Sequence, residues 1–146
     1  MGDWSWVTTR LATGAALTGP VDVDELVAQG CTHVIDCREE FDDTALLSQH
    51  ASCLCIGVPD DGQPKPPEWF KKGIDFALTA LSYPNARVLV HCAGGINRGP
   101  SMAAAILMAW GLTPALAEQV IRSARPQVGL RYLPDAIQAV KTLGYV

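Results

Sequence analysis

Residues 88–110, VLVHCAGGINRGPSMAAAILMAW, constrain the fold more than any other part of the chain. Val88 to Val90 is apolar at every position rather than at alternate ones, the pattern of a strand covered on both faces. A second apolar run, Met102 to Trp110, follows a short loop holding Gly94, Gly95 and Arg98. Gly99-Pro100 precedes that run, and proline is tolerated in the first turn of a helix. Strand, tight loop and helix in this order make half of a βα unit, so the rest of the chain has to supply further strands and the helices that cover them.

The flanking segments supply them. RLATGAA (10–16) reads as a short strand with a turn, and CTHVIDC (31–37) and SCLCIGV (52–58) read as buried strands. Helices are expected over Asp22–Gln29, ended by Gly30, and over Glu68–Leu81, where Phe70, Ile74, Ala77, Leu78 and Leu81 recur at helical spacing. Further helices are expected over Pro100–Trp110, over Thr113–Ser123 behind a Thr-Pro start, and over Tyr132–Leu143 before Gly144. REEFDDTALLSQH is a polar loop running into a weak helix, and PDDGQPKPPEW is a loop. A length of 146 residues suits one α/β domain, 1–146, with a central, mostly parallel sheet of four to five strands flanked by helices.

Composition narrows the function classes. With 49% hydrophobic and 18% charged residues the chain is a folded soluble domain, not a disordered one. A net charge of −4 argues against nucleic-acid binding, so anion recognition has to be local. No apolar run is long enough for a membrane span. MGDWSWVTTR lacks the pattern of a signal peptide and has Trp6 where a myristoylation signal needs Ser or Thr. Five cysteines without a secretory signal argue against a disulfide framework, and no histidine stands at zinc-site spacing from Cys53 and Cys55. Cys31, Cys37, Cys53 and Cys55 are read as small buried apolar residues. These features point to a cytoplasmic monomer with no metal and no cofactor.

The loop His91-Cys92-Ala93-Gly94-Gly95-Ile96-Asn97-Arg98 carries the chemistry. A loop between a strand end and a helix start turns successive backbone N–H groups inward and makes an anion site, which the helix dipole reinforces. Ala93, Gly94, Gly95, Ile96 and Asn97 form that cradle. Arg98 offers a fork for two phosphate oxygens. A cysteine in so positive a field, Cys92, is expected to ionise more readily than a free thiol and to act as a nucleophile on phosphorus.

Cysteine, five residues, arginine, set after an apolar strand and a histidine and before an apolar helix, resembles the signature of the cysteine-based protein tyrosine phosphatases. CTHVIDCREE, VPDDGQP, RSARPQVG and RYLPDAI look like segments of the small dual-specificity branch, so the resemblance runs from about Arg10 to Leu143. It implies a phosphocysteine on Cys92, phosphate binding by Arg98, and His91 ordering the loop. It also implies an aspartic general acid some thirty residues upstream. Asp60 and Asp61 both qualify, and the surrounding Pro59 and Gly62-Gln63-Pro64 favour Asp60. The substrate it implies is a phosphorylated protein or another phosphomonoester. Some lipid phosphatases of the wider superfamily protect their nucleophile by a disulfide to a cysteine placed as Cys37 is here.

One position departs from the pattern. The family usually has Ser or Thr directly after the arginine, where its hydroxyl assists breakdown of the phosphocysteine, and this chain has Gly99, with Ser101 two residues on. A slow or non-turning phosphate-binding module is therefore the alternative to an enzyme. Lysines typical of inositol-lipid phosphatases are missing from the loop. Asn97 matches RNA triphosphatase relatives, but the acidic balance opposes that substrate. Trp4 and Trp6 are read as covers for a sheet edge, Trp69 as a core anchor of its helix, and Arg125 as a surface charge at a helix end.

Overall fold

A computed structural model describes residues 2–146. In chain order the elements are β1 (Trp4–Trp6), β2 (Leu11–Gly14), α1 (Pro20–Ala28), β3 (His33–Arg38), α2 (Thr44–Leu47), β4 (Ser52–Val58), α3 (Pro67–Leu81), β5 (Val88–His91), α4 (Arg98–Trp110), α5 (Pro114–Ala124) and α6 (Leu133–Thr142). The strands form one five-stranded sheet in the order β1-β2-β5-β3-β4. The pairs β2–β5, β5–β3 and β3–β4 are parallel, and only β1 runs antiparallel, against β2. β5, apolar without alternation from Val88 to Val90, is the central strand, and Val88, Leu89 and Val90 are wholly buried.

Two cores sandwich the sheet. On one face Ile35, Cys37, Val88, Val90 and Cys92 pack with α3, α4, α5 and α6, centred on α4, whose residues from Arg98 to Met108 are all buried. On the other face Val34 and Leu89 pack with Val23 and Leu26 of α1 and Leu47 of α2. The helix starts follow from their residues: α1, α3, α5 and α6 each carry proline in the first turn, where its missing N–H costs nothing. Thr113 caps α5 by accepting the Leu116 N–H. All five expected helix starts shift by one or two residues: α1 begins at Pro20, α3 at Pro67, α4 at Arg98, α5 at Pro114 and α6 at Leu133.

Trp4 and Trp6 do more than cover an edge. They form the edge strand itself, and both indole N–H groups donate to Gln29 Oε1 at 2.9 and 2.7 Å. Trp69 is a core anchor as expected, 5% exposed, with its indole N–H on the Ile56 carbonyl at 2.6 Å. Among the described residues no helix is long and apolar enough to cross a membrane.

Candidate active site

The parallel strands end on the same side of the sheet, and their carboxyl ends deliver the candidate residues to one place. β3 leads into Glu40, β4 into Asp60 and β5 into Cys92. His91 stands opposite Asp36 on β3 and opposite Gly14 on β2, so the nucleophile loop starts at the centre of the sheet.

The loop's polar groups divide into two sets. Every carbonyl from Cys92 to Asn97 is taken by the protein. His91 Nδ1 lies 3.2 Å from the Cys92 oxygen, and the Ala16 N–H donates to Ala93. Arg125 donates to Gly94 and Gly95 at 3.2 and 2.8 Å. The N–H groups of Gly129 and Leu130 take Ile96, and that of Ser101 takes Asn97. The amides of Ala93, Gly94, Gly95, Ile96 and Asn97 have no acceptor among the described residues. Carbonyls all taken by the protein beside five amides left without an acceptor make a candidate anion cradle. Gly95 makes the turn at φ +68°, and a Cβ there would sit 2.4 Å from Arg125 Nη2 and 2.5 Å from the Gly14 carbonyl carbon.

Arg125 therefore corrects the sequence reading. It is 1% exposed, not a surface charge, because the carbonyls it meets lie in the interior, where only a buried donor reaches them. Asp3 balances it with two bonds at 2.8 and 3.1 Å, and this bonding lowers the Asp3 carboxyl below its ordinary pKa. Nothing local in the sequence distinguishes this arginine from a solvated helix end.

Arg98 is 3% exposed, and its donors are divided. Nη1 donates to Glu40 Oε1 at 2.7 Å and to the Val58 carbonyl at 2.9 Å, and Nη2 donates to Glu40 Oε2 at 2.9 Å. The Nε–H is buried with no partner among the described residues, and Nη2 keeps its second hydrogen. These two form the free side of the fork, while Glu40 and Val58 hold the other. An orphaned buried donor costs about 1–3 kcal/mol, which an anion's oxygens would relieve. The bonds to Glu40 raise the Arg98 pKa above its ordinary value against the effect of burial, with the charge of Cys92 adding to them. The same bonds hold the Glu40 carboxyl down at about 2. Glu40 was not singled out in the sequence, where it is one of two glutamates in an acidic loop.

Behind Cys92 lies a buried ionic group. His91 Nε2 is 2.5 Å from Asp43 Oδ2 and Nδ1 is 3.2 Å from the Cys92 oxygen, so each ring nitrogen faces an oxygen. Arg38 bonds Asp36 at 3.1 Å and Asp43 at 2.8 Å. Asp36, Asp43 and His91 come within 4.8 Å of one another, a spacing that a metal could use, and the Arg38 guanidinium already supplies the cation there.

Asp60 and Asp61 part company. Asp60 Oδ1 accepts the Tyr132 hydroxyl at 2.7 Å, its Oδ2 lies 3.4 Å from Asn97 Nδ2, and its charge acts on Arg98. Asp61 turns outward to Lys65 Nζ at 2.8 Å and to the Gln63 N–H. The fold thus brings together Cys92, Arg98, Asn97 and Asp60, with His91 behind the loop. Ser101 is buried and accepts the Tyr132 N–H at 3.2 Å, which makes it a support of the surrounding chain. A Cβ at Gly99 would lie 3.1 Å from the His91 backbone and 3.2 Å from the Cys92 nitrogen, so glycine lets α4 start close against β5. Among the other cysteines, Cys31 and Cys37 are buried, but Cys53 and Cys55 are only half-buried on the edge strand β4, a correction to their reading as core residues.

Comparison with known proteins agrees with this geometry. The family described as dual specificity phosphatase, catalytic domain, matches residues 19–132. Human dual specificity protein phosphatase 13B is 32% identical over 92 residues, covering 60% of this chain and 46% of the relative. The chain thus spans less than half the length of that curated relative. PTPMT1 in complex with PI(5)P shares the fold with a TM-score of 0.82 at 21% identity, over 97% of each chain. The human tyrosine phosphatase-like serine/threonine/tyrosine-interacting protein does so with 0.81 at 17%, over 100% of each. A family match over most of the chain, on a fold that gathers cysteine, arginine and aspartate at one strand edge, places this protein in the dual-specificity phosphatase family.

Proposed function

We propose that the chain hydrolyses phosphomonoesters, phosphorylated proteins being the class its family implies, through a phosphocysteine on Cys92. The thiolate attacks phosphorus as the bond to the leaving oxygen breaks, and Asp60 gives that oxygen its proton. Water then attacks phosphorus, Asp60 takes up its proton, and the S–P bond breaks to release phosphate and restore the thiolate. The cradle amides and the free side of the Arg98 fork meet the charge on the equatorial oxygens. His91 and Asp43 hold the loop from behind, and neither metal nor cofactor enters the scheme. One observation carries this reading: loop carbonyls all taken by the protein, five amides without an acceptor among the described residues, and a buried Arg98 N–H without a partner.

The test is hydrolysis of a generic aryl phosphate, with tungstate binding measured alongside. Cys92→Ser should lose turnover and keep tungstate binding, whereas Arg98→Ala should lose both. Full activity in Cys92→Ser would overturn the proposal. Gly99 favours a second reading, a phosphate-binding module with little turnover. One fold neighbour bears the name phosphatase-like interacting protein. Wild type that binds tungstate and hydrolyses no aryl phosphate would select this reading.

A further inference from the structure

Residues 129–135 join the two working loops, and nothing in the proposed chemistry uses them. Toward the phosphate loop, the N–H groups of Gly129 and Leu130 bond Ile96, and that of Arg131 bonds Asn97 Oδ1 at 3.1 Å. Toward the acid loop, the Tyr132 hydroxyl donates to Asp60 and accepts the Gly62 N–H at 3.0 Å. Asp135 accepts the Lys65 N–H at 3.1 Å, and Lys65 Nζ lies 4.8 Å from the centre of the Tyr132 ring. Leu130 has φ +53°, the only positive φ at a non-glycine among the described residues. A branched side chain reaches that conformation only when its surroundings impose it.

We propose that Tyr132 is a positioning residue: held on this segment, it fixes the general acid relative to the phosphate loop. Its hydroxyl engages Asp60 Oδ1, which leaves Oδ2 as the oxygen to deliver the proton. Its second bond, from Gly62, sets the turn that carries Asp60. The residue is 1% exposed, so packing holds the ring in place. Oδ2 is also the oxygen nearest Asn97, on the side of the nucleophile loop.

The proposal rests on Asp60 as the acid, and the test separates the two ideas. Tyr132→Phe keeps the ring and removes only the hydroxyl. On phenyl phosphate, a poor leaving group, kcat should fall about tenfold or more with little change in KM. On an activated nitrophenyl phosphate it should fall no more than about twofold, because that leaving group needs little protonation. In an Asp60→Asn background the same change should add nothing. An equal loss on both substrates, or a loss that persists with Asp60→Asn, would overturn positioning and leave a purely structural tyrosine. Amide hydrogen exchange gives a readout without turnover: Tyr132→Phe should speed exchange at Gly62 and its neighbours and leave Ser101 unchanged. Unchanged exchange at Gly62 would sink the proposal even in an active enzyme. An inactive wild type with faster exchange in Tyr132→Phe would sink only the enzymatic reading.

Discussion

At the scale of single residues, Gly99 is where the chain departs from its family and where the geometry resists simple repair. A hydroxyl restored by Gly99→Ser arrives on a Cβ placed 3.1 Å from the His91 backbone. Gly99→Ala brings the same crowding without the hydroxyl, and each variant should lose about 1–3 kcal/mol of stability by thermal or chemical unfolding. Rapid mixing of wild type with an activated aryl phosphate should show a burst approaching one equivalent, then a slower steady rate. Gly99→Ser should raise that steady rate and shrink the burst, and Gly99→Ala should do neither. No burst in wild type would mean that another group already assists breakdown of the phosphocysteine. Cys92, Arg98 and the two candidate aspartates stood out in the sequence because they sit in local motifs, and the structure turns Asp60 toward Asn97 and Asp61 toward Lys65. Glu40, Asp43 and Tyr132 did not stand out, because each acts through a partner 40 or more residues away (His91 for Asp43, Asp60 for Tyr132).

At the scale of elements, strand register settles who faces whom. β3 and β5 pair with Ile35 opposite Val90 and Asp36 opposite His91, Cys37 and Cys92 are the next residues on the two chains, and the charge of Cys92 acts on Cys37. Neighbouring strands lie about 4.8 Å apart, inside the reach of about 7 Å between Cα atoms that a disulfide allows. Both side chains belong to the same face, in the core under α4. Burial pushes the Cys37 thiol well above its ordinary pKa, and the charge of Cys92 adds to this, so peroxide has no reason to oxidise Cys37 first. Mild peroxide should oxidise Cys92 to the sulfenic acid, and the Cys37 thiol should then displace water to form a disulfide that dithiothreitol reverses. Peptide mapping checks it. If Cys92 is found only free or as sulfinic acid, and Cys37→Ser is over-oxidised no faster than wild type, the pairing does not form. The strands and four long helices were readable from period and punctuation. β1 was not, since three residues carry no period and its pairing with β2 is a tertiary event.

At the scale of the whole molecule, the loop from Cys92 to Arg98 is held by groups far from it in the chain. Asp3, in the N-terminal segment, grips Arg125, which in turn grips Gly94 and Gly95. Arg125→Met fills similar space but strips both carbonyls of their donor. It should cost about 2–4 kcal/mol in chemical unfolding and weaken tungstate binding as the loop loses its shape. Asp3→Asn keeps the carbonyl bonds and loses only a half-exposed ion pair, so it should cost about 1 kcal/mol or less. Equal stability and equal tungstate affinity in Arg125→Met would remove this arginine from the design of the site. The sequence revealed the architecture but not this strut, because a cation far along the chain becomes interior only once the sheet has closed over it.

The buried quartet of Asp36, Arg38, Asp43 and His91 has a consequence for descent. Each carboxylate is met by a basic group, and each basic group by a carboxylate, with three of the four fully buried and Arg38 only 8% exposed. Losing Arg38 takes from Asp36 and Asp43 the cation they share beneath Cys92, a larger penalty than most single substitutions carry. The four positions are thus inherited as a block: across divergent descendants they should vary together or not at all, while the exposed Glu39 of the same loop drifts freely.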